Sequence, residues 1–132
     1  MNSDRILIVN DDPRMRELLR RHLCSQGYDV VTTPSVGEAT CILATKPIDL
    51  VITDLEMPKA SGHDLVKYLQ ENFNHTEVMI VTGYATIREA TKAAKAAAAE
   101  YLIKPFTDEE LFAVVQRGFR KRNVRQAIEA RA

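Results

Sequence analysis

A chain of 132 residues has room for one domain with a real core, but not for two. Hydrophobic residues make up 45% and charged residues 27%, the balance of an ordinary soluble globular protein, and no apolar run approaches the roughly 18 residues that span a bilayer. The formal net charge is zero, so overall charge gives no reason to expect direct binding to nucleic acid or to a membrane.

Met1-Asn-Ser-Asp4 leads straight into an apolar run, so no signal peptide is expected. Strands are expected near 5–10, 28–32, 49–53, 78–81 and 100–103. The first, third and fourth are nearly continuous Ile, Leu and Val, which suits parallel strands buried on both faces. The second, Tyr28-Asp-Val-Val-Thr32, mixes polar and apolar residues and reads as an edge.

Helix signals fill the intervals. Asp12 is an N-cap and Pro13 a first-turn residue; Leu18, Leu19 and Leu23 form a stripe, and Gly27 stops the helix. Ser35 with Glu38 is a capping box for a second helix ending before Pro47. Segment 63–72 carries Leu65, Val66 and Leu69 at helical spacing. Residues 84–97 are rich in alanine, a strong helix former that anchors little. Thr107 with Glu110 caps a fifth helix, buried through Leu111, Val114, Val115 and Phe119. Cys24 and Cys41 fall within expected helices without metal-ligand spacing, so a reduced pair in a cytoplasmic protein is expected.

Five βα units with right-handed crossovers make a flavodoxin-like, doubly wound five-stranded parallel sheet with five helices. Strand order 2-1-3-4-5 puts the weakest strand at an edge. The basic tail, Arg117 to Ala132, carries six cations, Arg117, Arg120, Lys121, Arg122, Arg125 and Arg131, against the single acid Glu129. A solvated helix end whose cations favour the helix C-terminus explains it. The start of a linker to an output domain is the other reading.

Ligands of open α/β sheets bind beyond the C-terminal ends of the strands. Here those ends carry Asn10-Asp11-Asp12, Asp54, Thr82 and Lys104-Pro105. Acid, hydroxyl and ammonium at one sheet edge make a site for a phosphoryl group and a hard cation. An Asp after a strand is often only a turn residue, as Asp12 is read here, so the convergence of four ends carries the inference.

Four stretches together resemble the receiver domain of two-component response regulators over about residues 4–122, leaving 123–132 as a helical extension or linker. They are Ile-Leu-Ile-Val-Asn-Asp-Asp-Pro (6–13), Asp54-Leu-Glu-Met-Pro-Lys-Ala-Ser-Gly62, Val81-Thr82-Gly83 and Tyr101-Leu-Ile-Lys-Pro-Phe106. The resemblance extends to the chemotaxis regulator and, through Val81-Thr-Gly-Tyr-Ala-Thr86, to receivers of transcriptional activators. It implies Mg2+-dependent phosphotransfer from a sensor histidine kinase, or a phosphotransfer protein, to Asp54. The module would catalyse its own phosphotransfer and slow dephosphorylation without being a turnover enzyme. Asp11, Asp54 and the Glu56 carbonyl would hold the metal, with Asn10 on a metal-bound water. Lys104 and Thr82 would take phosphate oxygens, Gly62 would permit a turn, and Lys104-Pro105 stands where the family has a cis peptide. Thr82 and Tyr101 would form the switch, changing the surface of the fourth helix, fifth strand and fifth helix, through which a homodimer could form. A downstream output domain is a further implied partner.

Two positions depart from the family pattern. Asn10 stands where the first of two acids is usual, so weakened Mg2+ affinity is expected. Ala97 stands where glycine is frequent before the last strand. An unphosphorylated interaction domain, an aspartyl phosphohydrolase and a flavodoxin are the competing functions. Glu56 in place of a second Asp speaks against the hydrolase. The lack of a Ser/Thr/Gly phosphate loop after the first strand speaks against the flavodoxin.

Overall fold

Alternating strand and helix signals become alternating elements along the chain. The computed structural model describes residues 4–55, 62–73, 75–83 and 100–131. In order these form β1 (Arg5–Val9), α1 (Pro13–Ser25), β2 (Asp29–Thr33), α2 (Val36–Thr45), β3 (Leu50–Thr53), α3 (Gly62–Asn72), β4 (Glu77–Thr82), β5 (Glu100–Ile103) and α4 (Asp108–Arg131). The alanine-rich helix expected over 84–97, together with Glu56, Tyr84 and Ala97, lies outside the described residues.

The strands make one parallel sheet in the expected order, β2-β1-β3-β4-β5. Register aligns Val9 with Thr53, Thr53 with Ile80, and Thr82 with Ile103, so the strand ends form a common edge. Successive strand residues face opposite sides. Leu7, Val9, Val51, Val78 and Ile80 pack on Ala39 and Leu43 of α2 and on Leu65, Val66 and Leu69 of α3. Ile6, Ile8, Leu50, Ile52, Met79, Val81 and Leu102 pack on Leu19 and Leu23 of α1 and on Leu111, Val114, Val115 and Phe119 of α4. Each such side chain, fully buried, contributes about 1.5–3 kcal/mol relative to exposure. These two layers fix the sheet edge that carries the polar strand ends.

Cap chemistry sets where the helices start. The Asp12 side chain accepts from the Arg14 N–H at 2.9 Å. Thr107 and Glu110 bond each other's backbone N–H at 3.1 Å, a reciprocal capping box. The box expected at Ser35 is only half formed. Ser35 accepts from the Glu38 N–H, while the Glu38 carboxylate accepts from the Thr33 hydroxyl at 2.7 Å. A buried hydroxyl on the neighbouring strand outcompetes a solvated N–H. Gly27, with φ 91°, takes the left-handed conformation beyond the α1 C-cap. Gly62 is the first residue of α3.

The basic tail corrects the solvated reading. α4 runs unbroken to Arg131, and four of its cations reach acids at the N-terminal edge of the sheet. Arg117 and Lys121 bond Glu100 at 2.8 and 3.1 Å. Arg122 bonds Asp49 at 2.6 Å, and Arg125 bonds Glu77 at 3.1 Å. Gly118 lies against the sheet at this point, where a Cβ would stand 3.4 Å from Leu50 Cδ1.

Candidate functional site

The C-terminal ends of β1, β3, β4 and β5 lie side by side because the chain order reverses beside β1. Asp54 follows β3 and is only 7% exposed. Its N–H donates to the Val9 carbonyl at 3.3 Å, continuing the ladder past the last strand residue. The buried Thr53 hydroxyl donates to the Asp54 carbonyl at 3.0 Å. The carboxylate is thus held on a fixed backbone.

Lys104 follows β5, with β4 lying between it and β3. Its ammonium reaches over β4 to lie 3.0 Å from Asp54 Oδ2, and its N–H donates to the Thr82 carbonyl at 2.8 Å. The Lys104-Pro105 bond is cis. Thr82, the last residue of β4, is fully buried. The expected acid, hydroxyl-bearing residue and ammonium therefore come from three consecutive strands.

Asn10 follows β1 and is 2% exposed. Its Oδ1 accepts from the Asp12 N–H at 2.9 Å, and its carbonyl accepts from Arg16 Nη1 at 2.7 Å. Asp11, between them, is exposed. The turn is thus tied on both sides while Asp11 faces solvent. Arg16 carries no site signal in the sequence. Its bond to a carbonyl six residues back has no periodic signature. Tyr101 sits on β5 in register with Ile80 and is 41% exposed. Glu56 lies outside the described residues.

Among the described residues no three His, Cys, Asp or Glu side chains cluster as a metal cage. Mg2+ does not require one: it typically takes one or two carboxylates and keeps several waters. Solvent-facing Asp11 and semi-enclosed Asp54, on adjacent strand ends, fit that demand.

The response regulator receiver domain family model matches residues 6–116. The response regulator protein PilR of Pseudomonas aeruginosa is 38% identical over 123 residues, covering 93% of this chain. The DNA-binding transcriptional regulator NtrC of Azospirillum brasilense is 33% identical over all 132 residues. The chain spans only 28% and 27% of the lengths of these two relatives. Among solved structures, a response regulator receiver domain protein from Clostridium thermocellum superposes with a TM-score of 0.84 at 30% identity, covering 92% of this chain and 98% of that one. TrrA from Thermotoga maritima, in complex with Mg2+ and BeF, superposes with a TM-score of 0.78 at 32% identity, covering 86% of this chain and 97% of that one. Fold, site and these likenesses agree: the chain belongs to the receiver domains of two-component response regulators.

Proposed function

We propose that Asp54 is a phosphoacceptor, taking a phosphoryl group from the phosphohistidine of a sensor histidine kinase or a phosphotransfer protein. The observation that carries this reading is the Asp54–Lys104 contact at 3.0 Å on a sheet edge shared with Thr82 and Asp11. An Asp54 carboxylate oxygen attacks phosphorus, the donor P–N bond breaks, and imidazole leaves with that electron pair. The product is an acyl phosphate. Such transfers depend mainly on positioning and charge neutralisation. Lys104 supplies a cation for one phosphate oxygen, and the Thr82 hydroxyl a donor for another. Asp11 and Asp54 would hold Mg2+, with the Glu56 carbonyl by family likeness and Asn10 through a water. The metal supplies charge neutralisation of the transferring group. Nothing in this scheme turns over a free substrate, so the module is a signalling acceptor in the cytoplasm rather than an enzyme. Among the described residues no helix is long and apolar enough to cross a membrane.

Phosphate at Asp54 would draw the Thr82 hydroxyl inward and let Tyr101 rotate from its exposed position. The surface of β5 and α4, with the fourth helix expected from the sequence, then changes, as a homodimer or an output domain requires. The length of the relatives supports such an output domain. Hydrogen exchange that is the same over 82–106 with and without a phosphoryl analogue would exclude this switch.

Intact mass after incubation with acetyl phosphate tests the acceptor reading directly. One phosphoryl adduct is expected, dependent on Mg2+ and absent from Asp54→Asn. No adduct at any Mg2+ concentration would leave an interaction domain that works without phosphate, with Asn10 as the disabling change.

A further inference from the structure

Three of the four strands that end at the Asp54 site, β3, β4 and β5, begin at or just after a carboxylate bonded to α4. Asp54 follows β3, and Asp49 immediately before β3 holds Arg122 at 2.6 Å. Thr82 ends β4, and Glu77 at its start holds Arg125 at 3.1 Å. Lys104 follows β5, and Glu100 at its start holds Arg117 at 2.8 Å and Lys121 at 3.1 Å. The buried stripe of α4 stops at Phe119, and further along Val124 and Ile128 are 60% and 64% exposed. Ion pairs, rather than apolar packing, therefore set the direction in which α4 leaves the sheet.

The Glu77 pair is incompletely made. Glu77 is 4% exposed and meets Arg125 through a single bond, Nη1 to Oε1. Its Oε2 and the Arg125 Nε and Nη2 are buried without a hydrogen bond. A guanidinium can give a carboxylate two parallel bonds, and desolvated charges left half bonded are costly. A guanidinium and a carboxylate can meet through one bond or two, and here they meet through one, so a shift of α4 against β4 has a second bond to gain.

We propose that β3, β4 and β5 couple the Asp54 site to the C-terminal half of α4 through Asp49, Glu77 and Glu100. Residues 120–131 then take one of two positions against the sheet and carry the state of the site away from it. The strands are only four, six and four residues long and are bonded to one another along the parallel sheet. A displacement at one end is therefore delivered to the other rather than absorbed. This route leaves by the sheet edge opposite the site and does not use Tyr101. It rests on the acceptor reading, since it transmits occupancy of Asp54.

Hydrogen exchange by mass spectrometry tests it on the whole chain, using wild type, Glu77→Gln, Arg125→Gln and the double variant, each with and without Mg2+ and beryllofluoride. Without the analogue, exchange over 122–131 should rise about tenfold in each single variant, and no further in the double, because one interaction is lost in all three. Unchanged exchange in β1 and α1 shows that a variant is folded. Should Glu77→Gln unfold, Arg125→Gln carries the test, with Arg125→Lys, which keeps the single bond, retaining protection. With the analogue, wild type should change both around Asp54 and over 122–131, while Arg125→Gln changes only around Asp54. A wild-type response around Asp54 with none over 122–131 overturns the coupling alone. No wild-type response at either place overturns the acceptor reading and the coupling with it.

Discussion

The Lys104 ammonium and the Asp54 carboxylate meet 3.0 Å apart over the end of β4, so the acceptor is already neutralised by the cation that would later bind its phosphate. Asp54 pays for its burial through this contact, and removing either partner has a different consequence. Lys104→Met leaves a buried carboxylate short of a strong donor, which costs about 1–3 kcal/mol. It also removes one electrostatic contact to the transferring group, slowing adduct formation by about 100-fold. Combining it with Asp54→Asn should recover much of the lost stability. Urea denaturation of the two single variants and the double variant checks this. Strictly additive losses would show that the pair contributes nothing as a pair.

Asn10 gives the second expectation. Its Oδ1 is engaged by the Asp12 N–H at 2.9 Å, so the amide already performs the structural task of closing the turn. Aspartate could accept the same bond and would add a charge beside Asp11 and Asp54. Asn10→Asp should therefore tighten Mg2+ binding about tenfold with little change in fold, the added attraction being one partly screened charge. Titration of Mg2+ against intrinsic tyrosine fluorescence, or by calorimetry, measures it. An unchanged dissociation constant would mean that the position does not sense the metal.

Much of this architecture was legible because its signals are local. Continuous Ile-Leu-Val runs, Asp12 before Pro13, and Thr107 three residues before Glu110 each encode an element within a few residues. The site was legible for a related reason: in a parallel sheet every strand ends at the same edge, so Asp54, Thr82 and Lys104 needed only correct strand assignments to be brought together. The acid ladder was not legible. Asp49, Glu77 and Glu100 look like ordinary polar residues flanking strands, and their partners lie far along the chain. Pairs between Arg125 and Glu77, 48 residues apart, depend on the angle at which α4 crosses the sheet. Likewise Glu38 looked committed to its own helix terminus until β2 brought Thr33 within reach.

Gly118 is expected to be a place where stability can be gained. It is buried within α4, where glycine costs about 1 kcal/mol relative to alanine. A Cβ would stand 3.4 Å from Leu50 Cδ1 and 3.9 Å from Glu77 Cγ, which is close contact without overlap. Gly118→Ala should stabilise the protein by about 0.5–1 kcal/mol, and Gly118→Leu should destabilise it by pushing α4 off the sheet. Thermal unfolding of both variants decides the matter. A destabilised alanine variant would show that α4 and β3 have no slack at this point.

Glu100 yields an expectation with a definite sign in pH. Burial pushes its carboxyl upward, but hydrogen bonds and charge from Arg117 and Lys121 more than reverse that, leaving it below the ordinary value of 4.5. A carboxyl lowered in the folded state binds fewer protons folded than unfolded near that value. Its stabilisation is therefore complete above the ordinary carboxylate range and is lost as pH falls through the folded value. Both partners are substantially exposed, so solvent screening limits the contribution to about 1 kcal/mol. Glu100→Gln should consequently be less stable than wild type at about pH 7, with the gap narrowing as pH falls below the ordinary carboxylate range and through the folded value. Urea midpoints across this interval measure the gap. A gap that stays constant down to the acid limit would assign the loss to altered packing at the start of β5 rather than to the charge of Glu100.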